Sequence, residues 1–483
     1  MKKIKIFLIS FGMLAMLCTA GCNKVLDVKT VSSITNANYW KAEGDVTGYL
    51  TGIYTKFRSV MNTTYYLEDR GDSYVPGLEV GVSNAWLQNL TNSTAPNWVS
   101  FYNLIHHCNL LLKYGKQIPF SSQQDKDRVF AETYFIRAFT YFTLLRSWGD
   151  VPLVLEPTES GDQPMVGRSP ATTVMQQVLK DVDEAIALFP ENGFINKSRA
   201  SKPACYALKA DAFLWKAKVL KGGNADLDST LMAISKVQST VGLALESDFS
   251  QIFSTANRNG KEIVFSIHFL RDEESGMYAR GLKARDIFVN TAKNKADIPY
   301  AKNGARSNYA PSPKLISLFD ENANDQRKAA SVVTAISATG GVIGVFGNKF
   351  RGTLYSDDRY FDNDIIVYRL GGLILMKAEA LAALDRIPDA ITALNQIRVR
   401  AHIGDYAGAM DKKTVEKAIL DERFRELWNE QKRWPDLVRF NAEGIIDVYQ
   451  EVPNLEGKHT PLYFPIPLTQ IDINPKLKQT EGY

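Results

Sequence analysis

The segment 128–148 constrains the fold more than any other part of the chain. Apolar residues recur there at steps of four, three, four and three, which places them on one face of a helix: Ala131, Phe135, Ala138, Phe142 and Leu145. Tyr134 and Tyr141, one heptad apart, add a second apolar face. A helix that is apolar nearly all round must be enclosed by other elements, so the sequence predicts a mostly helical scaffold.

Similar spacing predicts further helices. One begins at Ser169-Pro170 and stops at Pro190, and another begins at Ser201 and is closed by Gly222-Gly223. Residues 373–383 form the face of a third, whose partner begins at Pro388. Alanine is frequent on these faces, and small side chains let helix axes approach closely, as in tetratricopeptide (TPR) repeats. We expect TPR-like helix pairs within an irregular domain, because the repeat period is irregular.

Two regions have a different composition. Residues from about 65 to 98 are rich in Gly, Asn, Ser and Thr, and residues from about 248 to 364 mix glycine-rich loops with short strand-like runs such as 262–269. Long irregular insertions in a helical scaffold are more often functional surface than core. No linker separates these parts. The sequence thus predicts a single domain over 22–483, with its scaffold at about 30–64, 99–247 and 365–483.

The first residues predict the compartment. Lys2, Lys3 and Lys5 precede an apolar stretch at 6–17, which is long enough for a secretory leader and too short for a membrane-spanning helix. Small residues then lead to Cys22, in a pattern that resembles the lipobox of bacterial lipoproteins, with Thr19 where leucine is usual. We expect a leader at 1–21 and acyl chains, including palmitate, on Cys22. An ordinary signal peptide and a retained membrane anchor are the alternatives.

Net charge and cysteine content further limit the class of protein and its partners. The formal net charge of +4 falls to +1 when the three leader lysines are removed, and no basic run is present, which argues against nucleic acid as a partner. In addition to Cys22, the mature chain contains two cysteines, Cys108 and Cys205. Both lie in helical patterns among apolar neighbours, which favours two buried free thiols over a disulfide.

Five sequence blocks, in order, carry a resemblance to a known family. They are KVLDV at 24–28, ITN to YW at 34–40, YFIRAF to WGDVPLV at 134–154, ER to EL followed by RW and DLVR at 422–439, and FPIP with its following Ile and Asn-Pro at 464–475. Over essentially its whole length the chain resembles the SusD/RagB family of nutrient-binding outer-membrane lipoproteins of Bacteroidetes. The resemblance implies a SusD-like fold: four TPR-like hairpins with an irregular, loop-rich ligand-binding portion.

The resemblance also implies a role and a partner. Members of this family lie at the cell surface, capture a nutrient and deliver it to a SusC-like TonB-dependent β-barrel transporter. An oligosaccharide is the expected ligand, and a peptide, as in the RagB branch, is the alternative. A surface glycoside hydrolase and a TPR-like scaffold that binds only protein are two further alternatives.

No sequence motif for catalysis, cofactor or metal binding is found, so we expect neither an enzyme nor a resident cofactor. Glu422 and Glu426 could suggest a glycosidase pair, but the arginines between them favour ion pairs that position helices. A group of four aspartates could suggest a calcium-binding site. Their spacing fits no calcium-binding loop, so a solvated turn is favoured. This set is Asp357, Asp358, Asp362 and Asp364.

Candidate ligand-binding residues come from the loop-rich regions. Sugar rings pack on aromatic side chains while their hydroxyls need fixed polar partners, and both loop regions offer that mixture. The candidates are Trp86, Asp72, Tyr74 and Asn84 in the first region, and Tyr278, Tyr309 and Arg351 in the second. The alternative for each residue is that it anchors its loop.

Overall fold

The computed structural model describes residues 39–161, 163–272 and 280–483. The leader, Cys22 and Tyr278 lie outside these ranges. The structure is about 49% helical, which confirms the predicted fold class. No helix in the described ranges combines the length and the apolar character needed to cross a membrane.

The helices are, in chain order, α1 (Glu43–Met61), α2 (Asn84–Leu87), α3 (Val99–Tyr114), α4 (Gln123–Trp148), α5 (Ala171–Leu188), α6 (Lys202–Lys218), α7 (Asn224–Gln238), α8 (Asp286–Val289), α9 (Pro313–Asp320), α10 (Arg327–Ser331), α11 (Leu370–Ala383), α12 (Ile387–Arg400), α13 (Lys412–Leu427), α14 (Arg433–Ala442), α15 (Val448–Glu451) and α16 (Leu468–Ile473). Short 3₁₀ turns lie at Gly115–Gln117, Phe249–Phe253, Thr255–Asn257, Lys295–Asp297 and Pro453–Leu455.

The scaffold is built from pairs of packed helices. The pairs are α1 with α3, α4 with α5, α6 with α7, and α11 with α12. Helix α4 is buried from Val129 to Trp148 except at Tyr134, as its two apolar faces predict. The Ser122 hydroxyl caps its first turn by accepting a hydrogen bond from the Asp125 amide, and Gly149 ends it in a left-handed conformation (φ 72°).

Two predicted helix boundaries differ from the observed ones. Ser169 was expected to cap α5, but it forms a bridge with Val151, and Pro170 takes the cap position instead. Helix α6 ends at Lys218, four residues before the glycine pair expected to close it. The amide of Gly222 returns to the Lys216 carbonyl, so that pair closes the turn after the helix.

Within the described ranges, eight strands form four two-stranded antiparallel sheets. The strands are β1 (Tyr74–Pro76), β2 (Ile263–Ile267), β3 (Tyr309–Pro311), β4 (Val332–Ile336), β5 (Val342–Gly347), β6 (Thr353–Leu354), β7 (Arg359–Tyr360) and β8 (Ile365–Arg369). They pair as β1–β3, β2–β8, β4–β5 and β6–β7. Sheet β2–β8 is buried throughout and ties the second loop-rich region to the helical core. Sheet β1–β3 joins the two loop-rich regions, which are separate in sequence.

A buried ion-pair network fixes helix α13 within the scaffold. Arg327 donates to Glu422 (2.6 Å) and Glu426 (3.1 Å), and Arg369 donates to Glu426 (2.6 Å). These charged side chains are fully buried or nearly so. The arginines that lie between Glu422 and Glu426 in sequence also form ion pairs, as predicted: Arg423 pairs with Asp436 (2.8 Å) and Arg425 with Glu422 (2.9 Å).

Candidate functional site

A pocket of about 740 Å³ opens where the two loop-rich regions meet. Four segments line it: residues 62–64, β1 with the turn that follows, residues 280–282, and β3 with the residues before it. The amides of Gly77 and Glu79 donate to the carbonyls of Asn308 and Ser307. On the other side, the Arg306 amide donates to the Arg280 carbonyl and the Tyr309 amide to the Gly281 carbonyl. The segment 306–309 is therefore the central element of the site.

Glycine permits the close approach of these segments. A Cβ atom on Gly77 would lie 2.2 Å from the Ser307 carbonyl oxygen, so no larger residue fits there without moving the backbone. Gly81 has a φ of +126°, a conformation that favours glycine, and a Cβ atom there would meet the Asn308 side chain at 2.7 Å. The Asn308 amide donates to the Val80 carbonyl and holds this turn against β3.

Tyr74 and Tyr309 form the floor of the pocket. Their rings lie 5.1 Å apart in a tilted arrangement. The Tyr74 hydroxyl donates to Asn429 (2.7 Å), whereas the Tyr309 hydroxyl donates to Asp69 and accepts from the Ser83 amide. Burial, together with the neighbouring Asp69 carboxylate, raises the pKa of Tyr309 well above its ordinary value. Both rings are less than 10% exposed, so they present a narrow surface rather than an open stacking platform.

The floor rests on the scaffold. Tyr74 and Tyr309 belong to a buried cluster that includes Phe424 and Trp428 at the end of helix α13. The Trp428 indole donates to the Ser73 carbonyl (3.2 Å). Because α13 is held by the buried ion-pair network, the floor is tied to that network through Phe424 and Trp428.

Charged groups gather at the rim. Glu79 accepts hydrogen bonds from the Arg285 guanidinium (2.9 Å) and the Ser307 amide (2.9 Å). Burial acts to raise the pKa of Glu79, but these hydrogen bonds and the charges of Arg285 and Arg306 outweigh it, so the pKa is lowered. Burial lowers the pKa of Arg280, and the positive charge of Arg306 lowers it further.

Of the other candidates from the first loop region, Asp72 and Trp86 hold the local structure. Asp72 is buried. Its carboxylate accepts hydrogen bonds from Nε and Nη2 of Arg433 (2.6 and 2.7 Å) and from the Lys314 ammonium (2.7 Å). Trp86 is half-buried, and its indole donates to the Tyr74 carbonyl (3.0 Å). Its contribution to the site is therefore support of the floor residue Tyr74.

The remaining candidates lie apart from the pocket lining. Asn84 begins the short helix α2, where its carbonyl accepts from the Asn89 amide. Arg351 is exposed and donates to the Asn348 side chain and the Asp297 carbonyl. Of the seven ligand-binding candidates, Tyr74 and Tyr309 line this pocket, and whether they contact ligand stays a prediction.

The structure adds polar lining residues that sequence reasoning missed. These are Asn62, Thr63, Thr64, Glu79, Arg280, Arg306 and Asn308. No local motif distinguishes them, because they come from four segments that lie far apart in the sequence, at 62–64, 79–80, 280–282 and 306–309. An available signal was the pair of glycines around Glu79, which marks a turn where backbones approach closely.

The four candidate aspartates are engaged by protein groups. Asp364 pairs with Arg258 and with the His268 ring (3.0 Å), and Asp362 accepts from the Thr353 amide and the Tyr355 hydroxyl. Asp357 pairs with Arg271 (2.8 Å), and Asp358 accepts from the amides of residues 302 and 303. Asp362 and Asp364 are buried, so the region is a braced loop rather than the solvated turn expected.

The fold and the pocket together define a class: a scaffold of packed helix pairs with a pocket between its two inserted loop regions. Two family models match the chain. One is described as the SusD family and matches residues 319–483; the other is described as "Starch-binding associating with outer membrane" and matches residues 25–214.

Relatives and solved structures agree with these matches. SusD-like protein P38 of Formosa agariphila is 28% identical over 529 residues, covering 100% of both chains. The structure of NanU from B. fragilis has a TM-score of 0.81 and 28% identity, and the match covers 94% of this chain and 100% of that one. A SusD superfamily protein from Bacteroides fragilis has a TM-score of 0.80 and 26% identity, over 92% and 100% of the two chains. The chain belongs to the SusD/RagB family.

Proposed function

We propose that this chain is a cell-surface binding protein that captures an oligosaccharide in the pocket between its two loop-rich regions. Its volume of about 740 Å³ lies within the range of small-ligand sites, roughly 300 to 1,000 Å³. The lining combines two fixed aromatic rings with amide, hydroxyl and guanidinium groups, which is the mixture that sugars require. The match to a family model described as starch-binding supports the same class of ligand.

The proposal includes an anchor and a partner. Acyl chains on Cys22 hold the protein at the outer membrane, and the captured ligand passes to a SusC-like TonB-dependent transporter. Support comes from the leader pattern before Cys22 and from the description of the matched model as associating with the outer membrane. The role is binding without catalysis. The buried, ion-paired state of Glu422 and Glu426 supports this, because those carboxylates face arginines rather than a cleft.

The geometry of the pocket carries the proposal, and a binding screen tests it. The mature chain with Cys22→Ser is titrated calorimetrically against polysaccharides, oligosaccharides and peptides. Asn308→Ala removes an amide from the pocket and should weaken a glycan hit. Asn474→Ala is the matched control, because its amide also donates to a surface carbonyl, that of Val166, outside the pocket lining.

Several outcomes would overturn the proposal. Binding of peptides but no glycan would reassign the ligand, and release of shorter products from a bound glycan would overturn the non-catalytic role. Equal loss of affinity in the two asparagine variants would place the site elsewhere. For the partner, affinity purification of the lipidated chain from its native membranes should recover a TonB-dependent barrel, and recovery of the chain alone under conditions that keep barrels intact would contradict the partner.

A further inference from the structure

A second pocket, of about 500 Å³, lies at one end of the helix pair α6–α7 and shares no lining residue with the pocket between the loop-rich regions. It is bounded by the start of α6, the end of α7 with the turn that follows, and the loop at 192–193. Among the described residues, its lining contains two lysines, Lys202 and Lys236, and no aspartate or glutamate. We call it the lysine pocket.

Neither lysine is paired with a carboxylate in the part of the chain that the structure describes. Lys202 donates to the side-chain oxygen of Asn192 (3.1 Å), a neutral group that orients the ammonium and leaves its charge uncompensated. Lys236 is exposed in the last turn of α7, and it forms no ion pair with a described residue. The lysine pocket therefore presents two ammonium groups that are available to an anion.

Two hydroxyl groups of the lining are also available. Thr240 is only 9% exposed, yet its hydroxyl has no hydrogen-bond partner among the described residues. The hydroxyl of the half-buried Tyr206 has none there either. A buried hydroxyl without a partner costs free energy unless a water molecule or a ligand meets it. Thr240 thus places an unused donor in the wall of the same pocket as the two lysines.

These groups match a phosphate better than a carboxylate. A lysine ammonium is a compact charge with three donors, and each hydroxyl adds another donor. The tetrahedral oxygens of a phosphate accept hydrogen bonds from several directions, as these separate donors require. A planar carboxylate is best matched by the fork of an arginine, and no arginine is among the described lining residues.

We infer that the lysine pocket is a second binding site, which takes the phosphate group of a lipid headgroup or of a soluble phosphate ester. Lys202 and Lys236 pair with the phosphate, and Thr240 and Tyr206 donate to its oxygens. Val241 also lines the pocket and is 96% exposed, so the organic part of the ligand can pack against it. This site is independent of the proposed glycan-binding function.

Two experiments on the mature chain with Cys22→Ser distinguish the two sources of phosphate. Calorimetric titration compares glycerol phosphate with glycerol, and the phosphate ester should bind about tenfold or more tightly. Flotation with phosphatidylcholine vesicles, with and without phosphatidic acid, tests the lipid headgroup. Flotation that needs phosphatidic acid and is inhibited by glycerol phosphate would identify a headgroup as the source. Binding of glycerol phosphate without flotation would identify a soluble ester, and either result supports the site.

Variants locate the phosphate within the pocket. Lys202→Gln and Lys236→Gln should each weaken phosphate binding about tenfold, because each removes a charge-assisted hydrogen bond. Thr240→Val removes a hydroxyl at nearly constant shape and should weaken binding about fivefold. Lys180→Gln is the matched control, because Lys180 is an exposed lysine of helix α5 outside the lysine pocket. A thermal melt of each variant shows whether it is folded.

Three outcomes would overturn the inference. Equal losses in Lys180→Gln and in the two pocket variants would show attraction to the general surface charge. An unchanged affinity in a folded Thr240→Val protein would place the phosphate outside the pocket. Failure of both glycerol phosphate and phosphatidic acid to bind would leave no phosphate site. None of these outcomes changes the result of the glycan screen, which tests the other pocket.

Discussion

Arg369, the last residue of strand β8, donates a hydrogen bond of 2.6 Å to the Glu426 carboxylate in helix α13, and both side chains are at most 2% exposed. This contact joins the sheet that carries the second loop-rich region to the helix that supports the pocket floor. Arg327 and Arg400 reach the same carboxylate. Glu426 is therefore the point where several separate segments of the chain are held together.

Glu426→Gln should destabilise the protein strongly. The substitution leaves three buried arginines short of one negative charge, and breaking a buried pair costs about 3–5 kcal/mol. Urea unfolding followed by circular dichroism measures the effect. Asp389→Asn removes the exposed pair with Arg386 and should cost less than about 1 kcal/mol. Similar losses in the two variants would contradict a central role for Glu426.

Gly371→Ala should destabilise the protein although alanine is the better helix former. A Cβ atom at this position would lie 2.6 Å from an Arg369 nitrogen and 2.8 and 2.9 Å from oxygens of Glu262 and Glu426. Gly372→Ala is the matched control, because its nearest neighbour is a Leu427 methyl at 3.4 Å. That variant should be neutral or gain up to about 1 kcal/mol from helix propensity. Thermal melts of both variants measure the difference, and a stabilised Gly371→Ala would refute the explanation.

Asp72 should make the free energy of unfolding depend on pH. Burial acts to raise its pKa, but the ion pairs and hydrogen bonds with Arg433 and Lys314 outweigh burial and lower the pKa below its ordinary value. A lowered folded-state pKa gives stability that is present above the unfolded pKa, about 3.9, and is lost as the pH falls below it. In urea titrations, Asp72→Asn should be less stable than the parent at pH 7, and the gap should narrow below about pH 4. A constant gap would show that Asp72 is not the titrating group.

Cys108 and Cys205 should be unreactive in the folded protein. Both are free and buried, and burial raises the pKa of Cys108 to about 12. A thiolate is the reactive form, so a thiol reagent should modify neither residue in native mature chain with Cys22→Ser and both after unfolding in urea. Rapid modification of native protein would show that helices α3 or α6 open readily.

Cys22→Ser should release the protein from the membrane. The acyl chains are proposed to be attached to this thiol, so the variant should lose incorporation of labelled palmitate and move to the soluble fraction. Cys18→Ser, four residues earlier and within the leader, should keep both label and membrane location. Membrane retention of the Cys22→Ser protein would indicate an anchor of another kind.

The sequence predicted the elements whose signal is local. Helix α4 follows from its repeating apolar steps, and the start of helix α6 follows from Ser201, because capping depends on residues within one turn. The family was also predicted, since five blocks in order are more specific than any single motif. The sequence also predicted that Glu422 and Glu426 take part in ion pairs, although not all of their partners. A helix this rich in both charges can be buried only when those charges are paired.

The tertiary structure decided what depends on contacts between distant segments. The pocket is formed by residues near 63, 80, 280 and 306, and no local pattern marks Arg280 or Arg306 as neighbours. Asp72 and Trp86 were predicted as ligand residues because polar loops usually face solvent. In the structure Asp72 is paired with Arg433 and Lys314, and the Trp86 indole donates to the Tyr74 carbonyl. Periodicity reports which face of an element is buried, whereas pairing of β1 with β3 brings two loop regions together and so creates the site.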